Sequence, residues 1–215
     1  MSSARDDILS AVRRASSAKR AADNSANDIA TGGPILPARA QGIPGELRNR
    51  FCEMARFAGA TVEIVADRDR VPGAIAAYLS REAPGDRLVL ASDPQIVSLP
   101  WGATPRLQVR PGLPLADDTA SVTGAVAGIA ETGSLLVASG AATANALHVL
   151  CETHIVLLRA QDMRGSYEEA LAMLGAKMPR AATFITGPSR TADIEKTPQI
   201  GVHGPKRLHI LLIDG

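Results

Sequence analysis

Aromatic residues, cysteines and long apolar runs are all scarce in this chain, and each scarcity removes a class of function. Aromatic side chains make up 3% of the 215 residues, so platforms for stacking nucleobases are not expected. The formal net charge is +1 and the lysines and arginines are scattered. That excludes a nucleic-acid partner, whose phosphates call for clustered cations. The two cysteines, Cys52 and Cys151, do not sit in a C-x-x-C pair. They cannot build a disulfide framework or the thiolate set of an iron–sulfur cluster, and they fit a reducing compartment. The opening "MSSARDDILSAVRRA" has no apolar stretch of the kind a secretory signal needs. No apolar run approaches the roughly 18–20 residues that cross a bilayer. There is no G-x-G-x-x-G for a dinucleotide. A cytoplasmic protein with no cofactor and no membrane span is expected.

The organisation that is present is that of one α/β domain with an appendage. Ser3 and Asp6 resemble a capping box, and Ile8, Leu9, Val12 and Ala15 then share a helical face, which predicts a helix over 1–19. Its apolar stripe needs a partner surface, on its own domain or on another subunit of a homo-oligomer. Asn, Gly and Pro dominate the next two dozen or so residues, so 20–44 reads as a linker. From residue 45 to 215 the pattern becomes regular. Leu47, Phe51, Met54 and Phe57 form a helical stripe. "TVEIVA", "DRLVLAS", "PRLQVR", "THIVLLRA", "AATFITG" and "KRLHILLID" read as strands, and "VPGAIAAYLSREA" and "SYEEALAMLGAK" as helices. "TGAVAGIAETGSLLVAS" reads as two strands broken near Glu131. Strands alternating with helices predict a mainly parallel sheet with helices on both faces. Such sheets bind ligands beyond the carboxyl ends of their strands.

Four places carry candidate chemistry. Glu131 stands between Gly128 and Gly133 among apolar neighbours, where a carboxylate is costly unless paired, neutralised or functional. It reads as a displayed nucleophile or base with Thr132 and Gly133 beside the ligand, or as a turn acid bonded to the N–H groups of those two residues. "TGPSRTADIE" reads as a strand–turn–helix junction. There Gly187, Ser189, Arg190, Thr191 and Asp193 would hold an anion, or Arg190 would pair with Asp193 or Glu195. His203, in "GVHGP", is a candidate acid–base residue or a hydrogen-bonded loop histidine. His148, Cys151 and His154 have metal-like spacing, but a strand begins within the motif, so no metal is expected. Glu131, Ser189, Arg190, Thr191 and His203 are expected to converge at the carboxyl edge of the sheet.

Taken together, "GIAETGSLLV", "GPSRTADIE" and "GVHGPKRLHILLID" resemble the lactate utilisation protein C family, the LUD-domain proteins, from about Leu47 to the C-terminus. The resemblance implies the fold of ribose-5-phosphate isomerase, glucosamine-6-phosphate deaminase and CoA transferases (NagB/RpiA/CoA transferase-like). It also implies a role in oxidising L-lactate to pyruvate beside partner proteins that carry the iron–sulfur clusters; the small carboxylate or phosphate ligand is the expectation of the anion site at Arg190. Glu131 and Gly133 match the glutamate–x–glycine stretch that carries the nucleophile of CoA transferases; Thr132 stands where those enzymes often have Asn. The alternative reading is a stand-alone CoA-transferase-like or sugar-phosphate-isomerase-like enzyme using Glu131.

Overall fold

The computed structural model describes residues 10, 36–176, 178–191 and 199–215. Apart from Ser10, the helix expected over 1–19 lies outside them, as do Asp193 and most of the linker. The chain divides at residue 36, and the unit 37–215 holds every element below.

Strands β1 (Thr61–Val65), β2 (Arg87–Leu90), β3 (Gln108–Pro111), β4 (Ala120–Gly124), β7 (Thr153–Arg159) and β12 (Arg207–Ile213) form one sheet in the order β1-β12-β7-β4-β2-β3. Every neighbouring pair is parallel. Parallel strands covered on both faces read as unbroken apolar runs, which is why β7 and β12 are visible in the sequence. Their alternating side chains divide the core. Val156, Leu158, Ile210 and Leu212 pack on one face with helix α1 (Pro44–Phe57). Ile155, Leu157, Leu211 and Ile213 pack on the other with helix α2 (Val71–Glu82).

The α1 face also carries a second, mostly antiparallel sheet. It is built from β5 (Ala127–Ile129), β6 (Ser134–Ser139), β8 (Met163–Arg164) and β9 (Ala181–Ile185) in the order β8-β5-β6-β9. Its inward residues Leu135 and Val137 join the core around Phe51. The stretch 120–139 therefore contributes three strands in two sheets rather than two in one. Outside both sheets, β10 (Arg190–Thr191) and β11 (Gln199–Ile200) pair as an antiparallel ribbon.

Helix α1 starts where Pro44 takes the first position and the Glu46 carboxylate accepts the Ile43 N–H at 3.2 Å. Its buried face is Phe51, Cys52 and Ala55, not the expected stripe: Phe57 is 84% exposed. Six residues beyond Phe51, at about 100° each, Phe57 has turned well away from the core. A shorter helix, α4 (Tyr167–Ala172), has the expected capping box. Ser166 Oγ accepts from the Glu169 N–H, and the Glu169 carboxylate accepts from the N–H of Ser166. The last residues of the expected linker belong to the domain. Ala40 is buried against Gly165, and Arg50 donates to the carbonyls of Arg39 and Gln41 at 2.6 and 3.0 Å.

Candidate functional site

Glu131 lies in the tight turn between β5 and β6. The turn closes through the N–H groups of Thr132 and Gly133, which donate to the Ile129 carbonyl at 3.4 and 2.8 Å and so are not used by the Glu131 carboxylate. That carboxylate accepts instead from Nε and Nη2 of Arg39, both at 2.9 Å. Its side chain is 10% exposed and that of Arg39 is 69% exposed. Both contacts end on the same carboxylate oxygen, Oε1. Because Arg39 is so exposed, the Arg39→Ala substitution is expected to cost no more than about 1 kcal/mol of stability, measured by urea unfolding.

The same turn meets the Gly187 segment. Thr132, Ser134, Tyr167 and Thr186 form a hydroxyl cluster, with Ser134 Oγ 2.6 Å from Thr186 Oγ1 and 2.9 Å from the Tyr167 hydroxyl. Gly187, at φ 75°, packs against the Ala58 carbonyl, and Arg190 donates to that carbonyl at 3.3 Å. Ser189 exchanges backbone hydrogen bonds with Gly201 and Pro205. Arg190 and Thr191 lie in the ribbon strand β10, and the helix expected after them falls on residues 192–198, outside the described residues. Exposed His203 shares a cavity of about 400 Å³ with Glu152 and Lys206.

The structure thus brings the predicted residues together in part, and away from the expected edge. Ala58 precedes β1, Glu152 precedes β7, and Lys206 precedes β12. The Gly187, Arg190 and His203 segments therefore lie at the amino ends of the parallel strands. The reason is topological. The gathering of loops at the carboxyl edge applies to segments that come directly after strands of the parallel sheet. Gly187 comes after β9, Glu131 after β5, and both strands belong to the second sheet.

What does lie beyond the carboxyl ends is a cavity of about 250 Å³. It is lined by Arg68, Asp93, Gln95, Ile96, Leu99, Gly124, Ala125, Leu157, Arg159 and Ile213. These residues come from the ends of β4, β7 and β12 and from the segments after β1 and β2. Two arginines are among them. Arg159 is steered by a 2.6 Å bond from Nε to buried Asp162, and Arg68 by its bonds to the side chain and carbonyl of Gln95. Asp93 caps helix α3 (Pro94–Val97) by accepting the Gln95 N–H at 2.8 Å. The sequence carries a signal for this set, because Arg159 and Asp93 are the first charged residues after the runs "IVLL" and "LVLAS".

The histidine–cysteine motif resolves into buried side chains on two faces. Cys151 joins the α2-side core, and burial, then the charge of Asp118, pushes its thiol up to about 11. On the other face, the His154 ring lies 5.5 Å from that of His148, with its Nε2 2.8 Å from Thr123 Oγ1. Among the described residues no three His, Cys, Asp or Glu side chains are grouped to hold a metal ion. Nor is any described helix long and apolar enough to cross a membrane.

A mainly parallel sheet covered by helices on both faces defines a protein of the α/β class. Residues 115–213 match the family model of the LUD domain, and the chain is similar to lactate utilization protein C of several bacteria. Lactate utilization protein C of Bacillus pumilus is 36% identical over 92 residues, covering 40% of this chain and 38% of that protein. The chain spans about two fifths of that relative's length. Lactate utilization protein C of Deinococcus radiodurans is 28% identical over 188 residues, covering 84% of this chain and 85% of that protein. The crystal structure of a DUF162 family protein from Deinococcus radiodurans superposes with a TM-score of 0.58 at 22% identity, covering 80% of this chain and 99% of that one. That likeness concerns the fold.

Proposed function

We propose that this chain is a component of an L-lactate oxidation system, binding a small carboxylate and acting beside partner proteins that carry the iron–sulfur clusters. The kinship with lactate utilization protein C supports the system role. The observation that carries the ligand class is the pair Arg68 and Arg159 at the carboxyl edge, since guanidiniums match carboxylates in charge and shape. The two cysteines are buried, and burial raises both thiols. They are too few for a cluster, so the ligating thiolates come from partners in this reading. Deleting the gene is expected to abolish growth on L-lactate and leave growth on glucose unchanged. Normal growth of the deletion strain on L-lactate would overturn the proposal.

A further inference from the structure

We infer that the carboxyl-edge cavity is a selective site for a short 2-hydroxymonocarboxylate, with Arg159 and Arg68 on the carboxylate and Asp93 on the hydroxyl. The inference rests on the lactate-utilisation reading above and deepens it. Three features of the lining carry it. The first is charge: Arg68, Arg159 and Asp93 line the cavity, and Asp162 sits behind Arg159 rather than in the lining, so the positive groups of the lining outnumber the negative one where a ligand would meet them. Asp162 occupies Nε of Arg159, so its two terminal amino groups form the edge that can grip a carboxylate bidentately. Arg68 is already tied to Gln95 through both terminal amino groups, and it contributes mainly charge.

The second feature is size and wall. Ile96, Leu99, Leu157 and Ile213 give one side an apolar surface for a methyl group. A volume of about 250 Å³ is below the usual range for drug-sized ligands, which favours a small acid. Gly124 helps to keep that space open. A Cβ built there meets nothing nearer than Ile96 Cδ1 at 4.0 Å, and its backbone does not require glycine.

The third feature sets selectivity. Asp93, a residue of the lining, accepts the Gln95 N–H through Oδ1 and has Oδ2 as a second acceptor. A carboxylate oxygen accepts a hydrogen bond from a 2-hydroxyl group. It repels the carbonyl oxygen of a 2-oxo acid, which has no hydrogen to give. The site therefore prefers the hydroxy acid to its oxidised counterpart.

Titration calorimetry on the full chain with L-lactate, pyruvate and propionate tests this. L-Lactate is expected to bind at least about tenfold more tightly than either of the others. Gly124→Val, which fills the cavity, and Arg68→Gln, which removes a cation, are each expected to weaken L-lactate by about tenfold or more. Their melting temperatures should stay close to that of the parent. Arg159→Gln leaves Asp162 unpaired and serves only if its melting curve is intact. Asp93→Asn keeps the helix cap and is expected to bring L-lactate and pyruvate to within about threefold of each other. Absence of binding by all three acids, or L-lactate binding unchanged in both Gly124→Val and Arg68→Gln, overturns the site. A preference for L-lactate over pyruvate that survives in full in Asp93→Asn overturns the role of Asp93. If the deletion strain fails on L-lactate but is rescued fully by Gly124→Val, the site is overturned and the functional reading stands. If the deletion strain grows normally while calorimetry gives the expected order, the functional reading falls and the site stands.

Discussion

Replacing Gly133 with alanine is expected to destabilise the domain by roughly 3–5 kcal/mol, a combination of left-handed backbone strain and steric overlap. Gly133 closes the turn after Glu131 at φ 69°, a conformation that L side chains rarely adopt. A Cβ there would stand 2.6 Å from Ala55 Cα and closer still to the Ala55 amide nitrogen. Both obstacles are main chain of helix α1, so a rotamer change cannot relieve them. Either α1 or the β5–β6 hairpin must move, and the two enclose Phe51, Leu135 and Val137. For a domain of this size the melting temperature should fall by roughly 10 °C. Gly140→Ala is the control: it has open space around its Cβ position and no positive φ, and should change stability by no more than about 0.5 kcal/mol. Equal melting temperatures for Gly133→Ala and Gly140→Ala would show that the hairpin does not need glycine at this position.

The Gly133 contact also explains why glycine brackets Glu131. The sequence makes Glu131 conspicuous because it is a lone acid among small apolar residues. The geometry accounts for that conspicuousness without a substrate. Gly128 lies against Leu158, Met163 and Phe51, Gly133 lies against α1, and the acid between them meets Arg39. Glycines that admit another segment of the same chain look, in sequence, like glycines that admit a ligand. Arg39 falls in a stretch whose composition reads as a linker, so the partner of the carboxylate is not legible before folding.

Strands β1, β2, β7 and β12 were legible to within a residue or two, because they are apolar runs bounded by charge or glycine, whereas the two-residue strands β8, β10 and β11 are too short to show a pattern. Which sheet a strand joins was not. β9 and β12 look alike as short β-rich segments, yet β12 lies inside the parallel sheet and β9 on the edge of the antiparallel one. That distinction alone moves Gly187 and Arg190 to the amino side. The helical stripe of α1 failed by phase: Phe51 is buried, whereas Phe57 points to solvent. The cavity arginines have a plainer signal. In a parallel sheet the first polar residue after an apolar strand stands at the carboxyl edge whatever motif surrounds it, and Arg159 after "THIVLL" fits that description.

Acidification from pH 7 to pH 5 is expected to remove at most about 2 kcal/mol of stability for each of two buried histidines, His154 and His209. Burial, then the neighbouring His148, lowers His154 from its ordinary value near 6.5 to about 3. Burial, then the charge of Arg81, lowers His209 to about 4. His209 stacks on Tyr78 with ring centroids 3.7 Å apart, and its Nδ1 lies 2.8 Å from Thr61 Oγ1. Glu63 would favour the protonated ring, but its carboxylate is 3.8 Å away and partly exposed, so desolvation prevails. Between the folded values and 6.5 the unfolded chain binds protons that the folded chain does not. Stability therefore rises with pH across that window and falls as pH drops below about 6.5, continuing towards 4 for His209 and 3 for His154. Urea unfolding at pH 7, 6 and 5 should show a falling midpoint with an unchanged denaturant slope. His209→Phe, which keeps a ring on Tyr78, should flatten the pH dependence by up to about 1.4 kcal/mol per unit. A midpoint that is the same at pH 7 and pH 5 would mean that the buried rings take up protons as readily in the folded chain as in the unfolded one.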